Sequence, residues 1–159
     1  MKLHLCALAL VALAGLLQNT SLVTVAGVKP NLVLAVFAAL AFAPLGMVWF
    51  LTLVALGALL VYFPGAASEL AVLAALIVLM FALAPRIPAK AAVAVPLAAA
   101  LATLAFYLII DVSLVTDRLD ALLIELVYNA TVALAASGLV TRVVVHEAPF
   151  RDPLRRSRL

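Results

Sequence analysis

The chain has 159 residues, 69% of them hydrophobic and only 11% charged, with a net charge of +3. Soluble domains run at about 45–50% apolar and about 25% charged. A water-soluble fold could not cover its surface at this balance, so lipid is the solvent for most of the chain. Six spans of about 20 residues would use ~120 positions, which leaves room for a single helical domain over residues 1–145 and a tail at 146–159.

The first apolar run is Leu3–Leu17. Lys2 and the Ala-Leu-Ala triplet at 12–14 also allow a competing reading as a cleaved signal peptide. The stretch "LLQNTSLVTVAGVKPNLVLAV" (16–36) follows, polar from Gln18 to Ser21 and apolar again from Leu22 to Val28. An ordinary short loop would not return to Val and Leu. This stretch reads as a segment lying in the outer interface, or dipping into it, with Pro30 opening the next helix or Asn31 capping it.

The second run, Leu32–Ala43, has twelve residues, short for a span. It fits a re-entrant arm, a tilted short helix or a span extended by its neighbours, and the break after it, "APLG" (43–46), carries no charge. The third run, Met47–Phe63, places Trp49 near its inner end and Tyr62 and Phe63 at its outer end, as an aromatic belt would. The fourth is Leu70–Ala84. The fifth, Ala92–Ile110, carries a row of Ala94, Ala98 and Ala102 suited to packing within the protein, with Pro96 in the first turn, where proline is tolerated. The sixth runs from about Ala121 to Val145. The tail "HEAPFRDPLRRSRL" turns basic and reads as a solvated anchor near anionic lipid or as a docking segment for a cytoplasmic partner.

Lysine and arginine placement sets the orientation. With six spans and a cytoplasmic N-terminus, the inside collects Lys2, Arg86, Lys90, Arg142, Arg151, Arg155, Arg156 and Arg158, and the outside holds Lys29 and Arg118. The expectation is a multi-pass protein of the cytoplasmic membrane with both termini inside.

Catalytic chemistry finds little to stand on. Cys6 is the single cysteine and cannot form an intramolecular disulfide, and His4 and His146 lie at opposite ends of the chain. No Gly-rich phosphate loop, GxSxG, HExxH or metal-ligand spacing occurs. No enzyme activity, cofactor, metal or nucleic-acid partner is expected. Glu69, Asp111, Asp117 and Asp120 gather at outer ends of segments, where charge is cheap, and read as a wetted rim.

Glu125 and Asn129 are different. They stand four residues apart in "IELVYNATVAL" (124–134), about one and two turns below Asp120, and Asn129 lies ~6 Å deeper than Glu125. A charge at the bilayer centre costs at least ~2.5–3.5 kcal/mol on insertion scales, less near the interface, so these side chains should face protein. Steps of four give Glu125, Asn129, Ala133, Ser137 and Thr141, a small or polar row that admits close helix approach and interhelical hydrogen bonds. The row fits packing against the protein's own helices or against a partner.

At this point the chain resembles the MreD family, small membrane proteins of the bacterial cell-elongation machinery. MreD proteins tend to show an apolar helix closing on Leu-Gln-Ser/Thr, then Gly-x-x-Pro-Asp/Asn-Leu-x-Leu. "LLQNTSL" and "GVKPNLVLAV" are similar to that pattern, and "ELVYNATVAL" is similar to the final helix, where an acid and a Tyr-Asn pair recur. The resemblance covers roughly residues 12–42 and 120–142. The middle departs: "LGMVWFLTLVALGALLVYFPG" keeps only Gly46 and Gly57 of a Gly-rich third helix (before the closing Gly65) and lacks its Asp-Leu ending.

The resemblance implies a non-enzymatic scaffold binding MreC, in the assembly that couples MreB filaments to RodA and a class B penicillin-binding protein in peptidoglycan synthesis and rod shape. It also implies a fold related to the substrate-binding subunits of energy-coupling-factor transporters, so a vitamin-binding transporter subunit is the rival expectation. The residues expected to bind the partner are Gln18, Lys29, Asn31, Glu125, Tyr128 and Asn129.

Overall fold

A computed structural model describes residues 1–20, 22, 24, 27–61, 67–87 and 90–147. Among them the chain is all-helical: α1 Lys2–Gln18, α2 Leu32–Ala41, α3 Met47–Val61, α4 Ala67–Leu83 continued by a 3-10 turn Ala84–Arg86, α5 Ala91–Ile110, α6 Val112–Asp117 and α7 Leu119–Glu147. Leu and Ala dominate these segments, and both are strong helix formers. Large apolar side chains such as Leu13, Leu59, Leu79, Leu101, Leu108 and Val127 stand exposed on the outside of the bundle. Water would penalise that surface and hydrocarbon does not.

Three helical stretches, Ala67–Arg86, Ala91–Ile110 and Leu119–His146, are long and apolar enough to cross a membrane, while α1, α2 and α3 are shorter apolar helices of 10–17 residues. The chain is a membrane protein.

Side-chain contacts fix the helix directions. His4 meets Trp49 at one end of the α1–α3 pair, with ring centroids 4.8 Å apart. At the other end the Asn19 amide donates to the Leu60 carbonyl at 2.7 Å, so these two helices run parallel. The intervening α2 begins where α1 ends and returns. Phe50, near the start of α3, stacks on Phe81, near the end of α4, at 4.1 Å, so α4 runs back against α3. Tyr107 with Glu125, and Thr103 with Asn129, pair α5 and α7 antiparallel. One end of the bundle therefore carries Lys2, Arg86, Lys90 and Arg142, and the other carries Lys29 and Arg118.

The core is built on α2. All ten of its residues are buried, none more than 5% exposed, and it is enclosed by α1, α4, α5 and α7 with a lighter contact to α3. This accounts for its length. A helix that meets no lipid need not match the hydrocarbon thickness of about 30 Å. Close approach is secured by small residues: Gly57 of α3 lets the Phe37 ring of α2 come within van der Waals reach, and Phe37 in turn meets Phe50 edge-on at 5.6 Å.

Several sequence expectations shift. The helix in the second run stops at Ala41, two residues before Ala43, and Asn31, not Pro30, begins it: the Asn31 carboxamide oxygen accepts the Leu34 N–H at 3.0 Å. Pro96 lies inside α5, the sixth residue of the helix and not in its first turn, so it removes one main-chain bond near the start of the helix. The short α6 was not foreseen, and α7 starts two residues before Ala121. In the alanine row of α5, Ala94 and Ala102 are buried but Ala99 replaces Ala98 between them. Tyr62, Phe63 and the basic residues from 151 onward lie outside the described residues.

Candidate functional site

Two side-chain assemblies stand out, one sealed inside the bundle and one open on its flank. The inner one begins with α7. Glu125 is 2% exposed and Asn129 is fully buried, both turned toward α5. The Tyr107 hydroxyl donates to Glu125 Oε2 at 2.7 Å. The Asn129 Nδ2 donates to Thr103 Oγ1 at 2.9 Å and makes a longer contact of 3.5 Å with Glu125 Oε1. Thr103 completes the chain by donating to the Ala99 carbonyl at 2.8 Å.

The Glu125 carboxylate also stands beside the Asn31 backbone, which brings it to the start of α2. The first N–H groups of any helix lack intrahelical partners. Here two of them are met by side chains. Gln18 Oε1 takes the Leu32 N–H at 2.7 Å and Asn31 Oδ1 takes the Leu34 N–H at 3.0 Å, with the Glu125 carboxylate beside the Asn31 backbone. An acidic group at this position also suits the positive end of the helix dipole. The acid of α7 thus stands at the start of the short helix, and the amide one turn below ties it to α5, a polar lock at the point where α2 begins. Replacing Gln18 with Ala removes one of these acceptors, and a loss of about 1 kcal/mol in unfolding free energy is expected, read by denaturant titration in mixed micelles.

Below the network the buried stripe of α7 continues through Ala133, Ala136, Ser137 and Val140, while Thr141 is exposed. The stripe drifts around the helix because steps of four overshoot a turn by about 40°. Among the described residues, Asn129 Oδ1 is buried without a hydrogen-bond partner.

The outer assembly is a laterally open groove of about 600 Å³ along α7, lined by Leu123, Ile124, Val127, Tyr128, Thr131, Val132 and Ala135. Its lining is almost wholly apolar. The Thr131 hydroxyl is occupied by the Val127 carbonyl at 2.8 Å, and the half-buried Tyr128 brings a phenol to the wall.

The six residues singled out from sequence therefore separate into three places. Glu125, Asn129, Gln18 and Asn31 meet at the start of α2, Tyr128 belongs to the outer groove, and Lys29 is exposed in the connection before Pro30. Thr103 and Tyr107 were missed. Their signal was present: two polar residues four apart in an apolar span, matching the Glu125–Asn129 spacing in the next long one. Among the described residues, no group of three or more His, Cys, Asp or Glu is placed to hold a metal ion.

Fold and site together define an all-α membrane protein organised around a buried short helix with a polar lock at its start. No family model, no curated protein and no solved structure matches the chain.

Proposed function

We propose that the chain is a non-enzymatic membrane scaffold of the MreD type, crossing the bacterial cytoplasmic membrane six times with both ends inside. In this reading it binds MreC within the assembly that includes RodA, a class B penicillin-binding protein and MreB. The two N-terminal motifs and the "ELVYNATVAL" helix support the family reading, and the alternation of helix directions supports six crossings. The observation that carries the scaffold role is the groove on α7. The polar row is already spent on the protein's own α5 and α2, so a partner has to be received elsewhere, and the groove offers an apolar, laterally open wall with one phenol. A transmembrane helix from the partner, with a small face and a single hydrogen-bonding group near Tyr128, fits such a wall.

The test is co-purification of MreC with an Ala135→Trp variant. Ala135 is exposed in the groove wall, so the bulky ring blocks the partner and leaves the core untouched. Recovery of MreC should fall at least about tenfold, the effect of ~1.4 kcal/mol in binding, with helix content unchanged by circular dichroism. Undiminished recovery would remove the groove from the interface. Thermal stabilisation of the wild type by one member of a vitamin panel would favour the transporter-subunit alternative instead.

A further inference from the structure

A second groove, of about 230 Å³, lies between α4 and α5 and reaches the end of α2, with Phe42, Leu79, Leu83, Ile87, Leu101 and Ala105 among its walls. Both helices are long and apolar enough to cross the membrane, so this groove opens onto acyl chains. Its rim at Ile87 is not neutral. Arg86 stands in the 3-10 turn between the lining residues Leu83 and Ile87, and Lys90 is the N-cap of α5. Both are exposed.

The Arg86 Nη1 donates to the Ala82 carbonyl at 2.7 Å, which holds the guanidinium at the end of α4. One bond of this kind leaves most of its five N–H donors for another acceptor. Glu69, Asp111, Asp117 and Asp120 belong to the opposite end of the bundle and Glu125 is buried against α5, while Glu147 ends α7 at the same end as Arg86.

An apolar slot whose Ile87 end is flanked along the chain by two exposed cations has the complementarity of one kind of molecule. We propose that this groove is a binding site for an anionic phospholipid, with an acyl chain along the α4–α5 slot and the phosphate held by Arg86 and Lys90. Arginine supplies paired donors to phosphate oxygens and lysine a point charge, and basic pockets between transmembrane helices are a recurrent means of selecting anionic lipids. The proposal needs only that α4 and α5 cross the bilayer. It is independent of any protein partner.

The full-length protein in a non-ionic detergent, incubated with phosphatidylglycerol or with phosphatidylcholine of the same chains, provides the test by native mass spectrometry. Phosphatidylglycerol should be retained and phosphatidylcholine lost. The double variant R86Q/K90Q should weaken phosphatidylglycerol binding about thirty-fold, the combined effect of two basic residues at a lipid surface, with the same unfolding temperature as the wild type in lipid-free detergent. Ala98→Phe, which narrows the slot, should reduce retention without touching either cation. Soluble glycerol phosphate at millimolar concentration should not displace the lipid, because it lacks the chain. Equal retention of the two lipids, undiminished binding by R86Q/K90Q or by Ala98→Phe, or displacement by glycerol phosphate alone would each overturn the proposal.

Discussion

Glu125→Leu is expected to destabilise the protein by at least about 2 kcal/mol, with two buried donors stranded at about 1–3 kcal/mol each. Two donors converge on the carboxylate, the Tyr107 hydroxyl and, at longer range, the Asn129 amide, beside the Asn31 backbone. Leucine is close in volume and apolar, so the change leaves no large cavity and isolates the polar term. Glu125→Gln should cost less, about 1 kcal/mol for the one mismatched contact, since its single oxygen can serve Tyr107 while its amide nitrogen faces another donor at Asn129. Removing the donors together with the acceptor, as in Glu125→Leu with Tyr107→Phe and Asn129→Leu, should recover part of the loss, because paired deletion strands fewer groups. Reversible unfolding in mixed micelles measures all of these. A Glu125→Leu protein as stable as the wild type would mean that α2 begins without help from the carboxylate.

This lock was half-visible in the sequence. The Glu125–Asn129 spacing identified which turns of the last helix face protein, since an acid and an amide in hydrocarbon are too costly to leave against lipid. Asn31, after a proline and before an apolar run, was legible as a helix cap. The other half depends on tertiary placement. Gln18 closes one helix in sequence but serves the start of the next across a 14-residue separation, and nothing in its immediate neighbours encodes that.

The central position of α2 was hidden for a related reason. A helix that is apolar all round reads alike whether its surroundings are acyl chains or side chains. In water the hydrophobic stripe would have told inside from outside, whereas here α4 carries Leu, Val and Met around its whole circumference and buries only Leu73 and Ile77. What remains informative in such a chain is the small and polar residues, and those are sparse. The exchange of Ala99 for Ala98 on the buried face of α5 shows how little rotation is needed to misplace a stripe when every neighbour is also alanine or leucine.

Among the described glycines, Gly15→Ala should be the most damaging methyl addition. A Cβ at Gly15 would stand 2.7 Å from Leu60 Cβ and 3.0 Å from Leu60 Cδ1. The Leu60 Cβ is fixed by its backbone and cannot swing aside, so α1 and α3 would have to separate. Overpacking of this kind costs about 1–3 kcal/mol, and the separation would carry further losses with it. Asn19, one turn on, would be drawn from the Leu60 carbonyl, and Gln18 from the Leu32 N–H. Damage begun at a helix crossing thereby reaches the α2 lock, and the upper part of that range is expected. Gly57 is a milder case, since its added Cβ would meet the edge of the Phe37 ring at 3.0 Å, a group able to tilt. Gly138 is the matched control: it is exposed on α7 with nothing within 4 Å of an added Cβ, and Gly138→Ala should gain up to about 1 kcal/mol from helix propensity alone. Unfolding curves for Gly15→Ala and Gly138→Ala that moved in the same direction would show that backbone propensity, not the α1–α3 approach, governs the glycines of this protein.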